Sequence, residues 1–322
     1  MDEQIKYLRA CLEEGADRPL TEKAHQYFTE AVSTLGEGDA QLEFGHIAAD
    51  AAQYCREDIV EGLLSAGCEL TSSMLEGAMI GKSIAVFEVL LHYGREQGRW
   101  DINKPWRNLD QPWRNDSVPM LGHISPDRDL TVWFFDQGAD PNVKDKDDIT
   151  PFSLAVQHAS EDIIKLFLEK GGLLHQGWLL HHAVARDYGE DEVMKFLVEK
   201  LEEGKYDVVG WLNAVKYSDN PALSDFYRYI DLGTPLHDAA TQGKGGLVCY
   251  LIDKGADRYI QDSLGLTAEA CVQDCLQAEK SEEKQGRLSD VLELLQNYFP
   301  EEGGPIADRQ RNDSLYPLDD KA

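Results

Sequence analysis

Two stretches concentrate the residue types that do chemistry at a surface. The tetrapeptide Pro-Trp-Arg-Asn occurs at 105–108 and again seven residues later at 112–115. Trp and Arg are the side chains that most often carry interface binding energy, and Pro lowers the entropy lost when a loop is immobilised. Trp106, Arg107, Trp113 and Arg114 are therefore candidate partner contacts. The competing expectation is that both indoles fold down to seal an enlarged turn. The second stretch, 205–232, carries Tyr206, Trp211, Tyr217, Phe226, Tyr227 and Tyr229. Trp211 and Tyr217 join the candidate contacts, against the alternative that these rings tie the segment to its own scaffold. An extra helix is expected over 224–230.

Residues suited to catalysis do not assemble into a motif. Gly81-Lys82-Ser83 ends like a phosphate-binding loop, but the first Gly of that motif would fall at Glu76. His181 and His182 diverge by about 100° on a helix and cannot readily share a metal. Cys271 and Cys275 lie on one helix face, yet a zinc site needs two more ligands and none follows at ordinary spacing. Acidic runs such as Glu190-Asp191-Glu192 and Asp145-Lys146-Asp147-Asp148 read as solvated turns. No catalytic residue, cofactor or metal is assigned, and the chain is not expected to be an enzyme.

Charge narrows the partner. The 322 residues carry 59 acids against 31 bases, a net charge of −28. Such a field repels phosphate backbones and anionic membrane surfaces, and speeds encounter with a basic protein. A protein partner of basic character is expected, with no nucleic acid and no membrane; a monomer is the default. Six cysteines are too few for a disulfide framework at this length. No apolar run reaches the length of a membrane span or follows a basic leader. A reducing, cytoplasmic setting is expected, with the nucleus not distinguished from it.

The elements that must position these residues repeat along the chain. An apolar pair, two or three polar residues, a second apolar pair and then Gly recur as Ile59-Val60…Leu63-Leu64…Gly67 and Val86-Phe87…Leu90-Leu91…Gly94. The same pattern spans 130–138, 163–171 and 247–255, with a looser copy at 193–204. Spacing of i, i+1, i+4, i+5 marks one face of a helix, and the closing Gly suits a left-handed C-terminal residue. A second short helix precedes most of these. Its clearest copies are Thr234-Pro235-Leu236-His237-Asp238-Ala239-Ala240 and Thr150-Pro151-Phe152-Ser153, where Thr caps and Pro occupies the first turn.

On these residues the chain resembles the ankyrin-repeat family, with its Thr-Pro-Leu-His signature and period near 33 residues. Gly138, Gly171 and Gly204 keep that period. Gly138-Ala139-Asp140-Pro141-Asn142 and Gly255-Ala256-Asp257 resemble the family's inter-repeat turn, which makes Asp140 and Asn142 further candidate contacts. The resemblance implies an all-α solenoid of stacked helix pairs with short inter-repeat turns. It also implies a non-enzymatic interaction module or adaptor that holds a protein on its concave face. The alternative function is a small-molecule site or enzyme built between the solenoid and its aromatic insertions. His181 aligns with His237, so a structural hydrogen bond to a neighbouring turn is implied for it. The expected organisation is a capping segment or divergent repeat at 1–44, an array at 45–298 with insertions near 95–117, 205–232 and 272–288, and a flexible acidic tail at 299–322.

Overall fold

The computed structural model describes residues 2–14, 19–106, 118–227, 229, 230 and 232–298. Two compact units divide the chain, Met1–Leu173 and Leu174–Ala322. The first contains α1 (Asp2–Glu14), α2 (Thr21–Leu35), α3 (Glu37–Gln53), α4 (Glu57–Ser65), α5 (Ser72–Gly81), α6 (Ile84–Glu96), α7 (Met120–Ile124), α8 (Arg128–Asp136), α9 (Pro151–His158) and α10 (Glu161–Glu169). The second contains α11 (Leu179–Val184), α12 (Glu190–Glu203), α13 (Val208–Leu212), α14 (Pro221–Phe226), α15 (Pro235–Thr241), α16 (Gly245–Asp253), α17 (Ala268–Ala278) and α18 (Glu282–Asn297). One isolated antiparallel bridge, Gln261 with Thr267, is the only extended pairing among the described residues. The fold class is all-α, built from stacked helix pairs.

The paired apolar positions are what each helix buries. In α4 these are Ile59, Val60, Leu63 and Leu64; in α6 they are Val86, Phe87, Leu90 and Leu91. In α16 Leu247, Val248, Leu251 and Ile252 do the same. Each such side chain contributes about 1.5–3 kcal/mol on leaving water. The helices before them use small residues to approach closely. A Cβ on Gly77 of α5 would sit 2.4 Å from the Ala49 carbonyl oxygen of α3, so only Gly fits that crossing.

Helix starts follow the capping residues. Thr150 and Ser153 form a reciprocal box: Ser153 N donates to Thr150 Oγ1 at 3.1 Å and Thr150 N donates to Ser153 Oγ at 2.7 Å. Thr234 and His237 form the second, with Thr234 N donating to His237 Nδ1 at 3.2 Å. Helix ends follow glycine where expected at Gly67, Gly138, Gly171 and Gly255, all with positive φ. Two glycines depart from that expectation. Gly94 lies inside α6, where a Cβ would meet the Trp100 carbonyl oxygen at 2.9 Å, and Gly98 takes the left-handed turn instead. Gly204 keeps a right-handed conformation and Lys205 is left-handed, with φ 56.

Side-chain amides join consecutive turns. Asn142 Nδ2 donates to the Gly171 carbonyl at 2.9 Å while its Oδ1 accepts from Leu173 N at 2.9 Å. Asn103 treats Gly138 and Asp140 the same way, and Asn213 does so for Gly255 and Asp257. Gln41 and Gln97 perform the role earlier in the chain, on 67–70. Each amide satisfies a carbonyl left over at a helix C-terminus and an amide two residues beyond it.

Several expected boundaries move. The division at 44/45 falls inside α3, because Ala40, Phe44, Ile47 and Ala48 form one buried stripe; the break comes at Gly36. The insertion placed at 272–288 is largely helical: α17 runs to Ala278 and α18 begins at Glu282. The helix expected at 224–230 is α14, shifted because Asn220 caps Leu223 N and Pro221 opens the first turn. The tail at 299–322 lies outside the described residues.

Candidate interaction surface

In the first unit, Trp106 is not a surface anchor. It has 0% exposure, its carbonyl accepts from Ser72 Oγ at 3.0 Å, and its ring meets His123 edge-on at 5.5 Å. Trp100 and Ile102 are buried with it, so this part of the insertion folds onto α5 and α7. The indole offered more apolar area to the core than a loop tip could leave in water. Arg107, Trp113 and Arg114 lie outside the described residues. Asp140 and Asn142 lie in the turn after α8. Asp140 Oδ1 accepts from Asn142 N at 2.8 Å, and Asn142 is committed to the next turn as described. Asp140 is exposed, whereas the Asn142 amide spends its donor and acceptor on scaffold.

In the second unit, the 205–232 segment divides by exposure. Tyr217 is buried at 4%, in a cluster with Trp178 and Leu232. Trp178 meets Tyr217 edge-on at 5.8 Å, and Tyr217 stacks on Tyr227 at 5.4 Å. Trp178 and Tyr217 both adopt left-handed backbone, φ 54 and φ 63. That conformation costs of order 1–3 kcal/mol in a non-glycine residue and persists where packing over-determines it. Tyr217 therefore ties the insertion down, which corrects its reading as a contact. Trp211 is half-buried and lines a small apolar recess with Leu174, Trp178, Leu179, Leu180, His181 and Leu201.

The opposite outcome holds at the end of that segment. Phe226 is 71% exposed, Tyr229 81% and Ile230 54%. Ser263 fastens this strip to the next turn: its Oγ donates to the Ile230 carbonyl at 2.9 Å, and its N donates to the Leu232 carbonyl at 3.0 Å. Leu232 N returns a bond to Ser263 Oγ at 2.9 Å. The next residue, Leu264, is 50% exposed. Four large apolar side chains thus stand exposed, and three hydrogen bonds fasten the backbone at Ile230 and Leu232 to Ser263, beside Leu264. Sequence reading named Phe226 and Tyr229 within the aromatic stretch but missed Ile230 and Leu264. Nothing in the local pattern shows that Ser263 brings the two stretches together.

The histidines behave as scaffold. His181 Nε2 lies 3.2 Å from the Gly233 carbonyl, and His237 Nε2 lies 3.1 Å from the Leu266 carbonyl. Burial, aided by Lys216, pushes His181 down to about 3, so it is neutral at physiological pH. Burial lowers His237 as well. Lys82 of the Gly-Lys-Ser segment is left-handed at the end of α5 and pairs with Asp127 at 3.3 Å, a turn residue rather than part of a phosphate cradle.

Stacked amphipathic helix pairs, amide-linked turns and histidines bonded to the following turn define a class of helical-repeat binding protein. The family model described as ankyrin repeats, in three copies, matches residues 124–209, and the single ankyrin-repeat model matches 231–263. The chain therefore carries ankyrin repeats, matched within residues 124–263. The weaker copies expected at 45–94 lie outside the matched residues, and there the structure shows paired helices of the same kind. No curated protein matches the chain. Ankyrin repeats are in general a protein–protein interaction module, and proteins built from them are typically non-enzymatic scaffolds. No described helix is long and apolar enough to cross a membrane.

Proposed function

We propose that the chain is a cytoplasmic adaptor that holds a basic protein partner against the strip formed by Phe226, Tyr229, Ile230 and Leu264. The observation that carries this reading is their exposure, with the end of the strip fastened at Ile230 and Leu232 to Ser263. Large apolar side chains left in water on a pre-ordered backbone lose little further entropy on binding. Aromatic rings supply much of the contact energy at such surfaces. The acid excess of the chain favours Lys- and Arg-bearing segments around that apolar centre.

The test is quantitative capture of partners by the full chain and by a Phe226→Ser/Tyr229→Ser variant, with circular dichroism confirming that both fold. The reading predicts at least a tenfold loss of the captured partner. Each buried aromatic anchor of this kind is worth about 2 kcal/mol or more at an interface. Undiminished capture by the variant contradicts the placement of the surface.

A further inference from the structure

We propose that His237, Asp262 and Cys271 form a binding site for a zinc-class divalent ion in the second unit. The three residues come from α15, from the turn closed by the Gln261–Thr267 bridge and from the first turn of α17. All are buried, and one ligand atom from each lies within 4.8 Å of the others. It is the one such group among the described residues. Imidazole nitrogen, carboxylate oxygen and thiolate sulfur are the three donor types that zinc takes from proteins.

The geometry is close to what such an ion needs. Tetrahedral zinc, with bonds of about 2.3 Å to sulfur and about 2.0 Å to nitrogen or oxygen, sets its ligands roughly 3.3–3.6 Å apart. Cys271 Sγ already donates to Asp262 Oδ2 at 3.2 Å. The remaining ligand atoms lie within 4.8 Å of one another and need only small side-chain adjustments to reach that spacing. The other carboxylate oxygen is held elsewhere: Asp262 Oδ1 accepts from Leu264 N and Leu266 N, both at 2.8 Å. That pair fixes the carboxylate and aims Oδ2 at the thiol, as outer-shell hydrogen bonds do for metal ligands.

His237 has a partner for either tautomer. Without metal, Nδ1 accepts from Thr234 N at 3.2 Å; binding at Nε2 requires the ring proton to move to Nδ1, which then gives up that bond and donates to Thr234 Oγ1 at 2.9 Å. Nε2 then presents its lone pair on the side where the Leu266 carbonyl stands at 3.1 Å. That carbonyl or a water completes four ligands. Binding releases the Cys271 thiol proton to solvent and leaves the imidazole neutral with its proton on Nδ1. The preceding repeat supplies an internal contrast. His181 makes the same bond to a following carbonyl, Gly233, without an acid and a thiol beside it. The cluster is therefore an addition to the repeat at this one position.

The test is titration of the full chain with cobalt(II), followed by zinc. The expected result is a saturable thiolate-to-cobalt charge-transfer absorption at one equivalent, displaced by zinc and accompanied by a rise in Tm. Cys271→Ser abolishes both signals, and His237→Gln weakens binding at least tenfold. Cys275→Ser, one helical turn further on, leaves both unchanged and controls for general thiol binding. No saturable absorption in the folded wild type overturns the proposal. So does absorption that survives in Cys271→Ser.

Discussion

The fate of single side chains here follows from what each finds within reach. His181 is neutral because burial outweighs the bond to the Gly233 carbonyl. Its proton is bound in the unfolded chain below about pH 6.5 and in the folded chain only near pH 3. Stability therefore falls as pH drops from about 6.5 towards 3, by about 2 kcal/mol at pH 5. His181→Gln keeps a donor for Gly233 but cannot titrate. Urea unfolding at pH 7 and pH 5 checks this: the variant's loss between the two is smaller than wild type's by about 2 kcal/mol. An equal loss in both contradicts the assignment. The histidine's structural role was legible in the sequence, because the Thr-Pro-Leu-His signature carries its bonding pattern. The burial of Trp106 was not, since a Pro-Trp-Arg loop reads the same whether its ring meets solvent or Ser72 and His123. Tyr217 was misread for the same reason: its partner Trp178 lies far back in the sequence.

At the scale of elements, period decided what could be read. The paired apolar positions of α4, α6 and α16 gave their helices and buried faces correctly. The extents of α3, α14 and α17 were harder, because capping and packing set them rather than periodicity. Glycine shows the limit. Gly67 and Gly171 end helices through positive φ, whereas Gly77 and Gly94 stand inside helices for close approach, and sequence position alone does not separate the two uses. Gly77→Ala therefore destabilises the first unit, although Ala favours helices more than Gly by about 1 kcal/mol. The Cβ would lie 2.4 Å from the Ala49 carbonyl oxygen, and overpacking of this kind costs about 1–3 kcal/mol. Gly38→Ala, with nothing within 4 Å of its Cβ, is the control and gains stability. Chemical denaturation of both variants tests the sign. A Gly77→Ala protein more stable than wild type contradicts the close crossing of α3 and α5.

For the whole molecule, the proposed partner rests on composition and the proposed surface on connectivity. The net charge of −28 underlies the proposed basic partner, but no charge pattern singles out Phe226, Tyr229, Ile230 and Leu264. That surface exists because an insertion runs past α14 and is fastened to a turn more than thirty residues later through Ser263. The bulk charge and the local strip predict different salt responses. Long-range attraction is screened beyond about 10 Å at 0.1 M salt, while apolar contacts are not. The most direct measurement is site-specific photo-crosslinking from position 229, compared with position 54, where Tyr54 is also exposed but lies in the first unit. The account predicts a discrete protein adduct from 229, weaker yet still present at moderate salt, and none from 54. Equal adducts from both positions, or none from 229 in the folded chain, would contradict it.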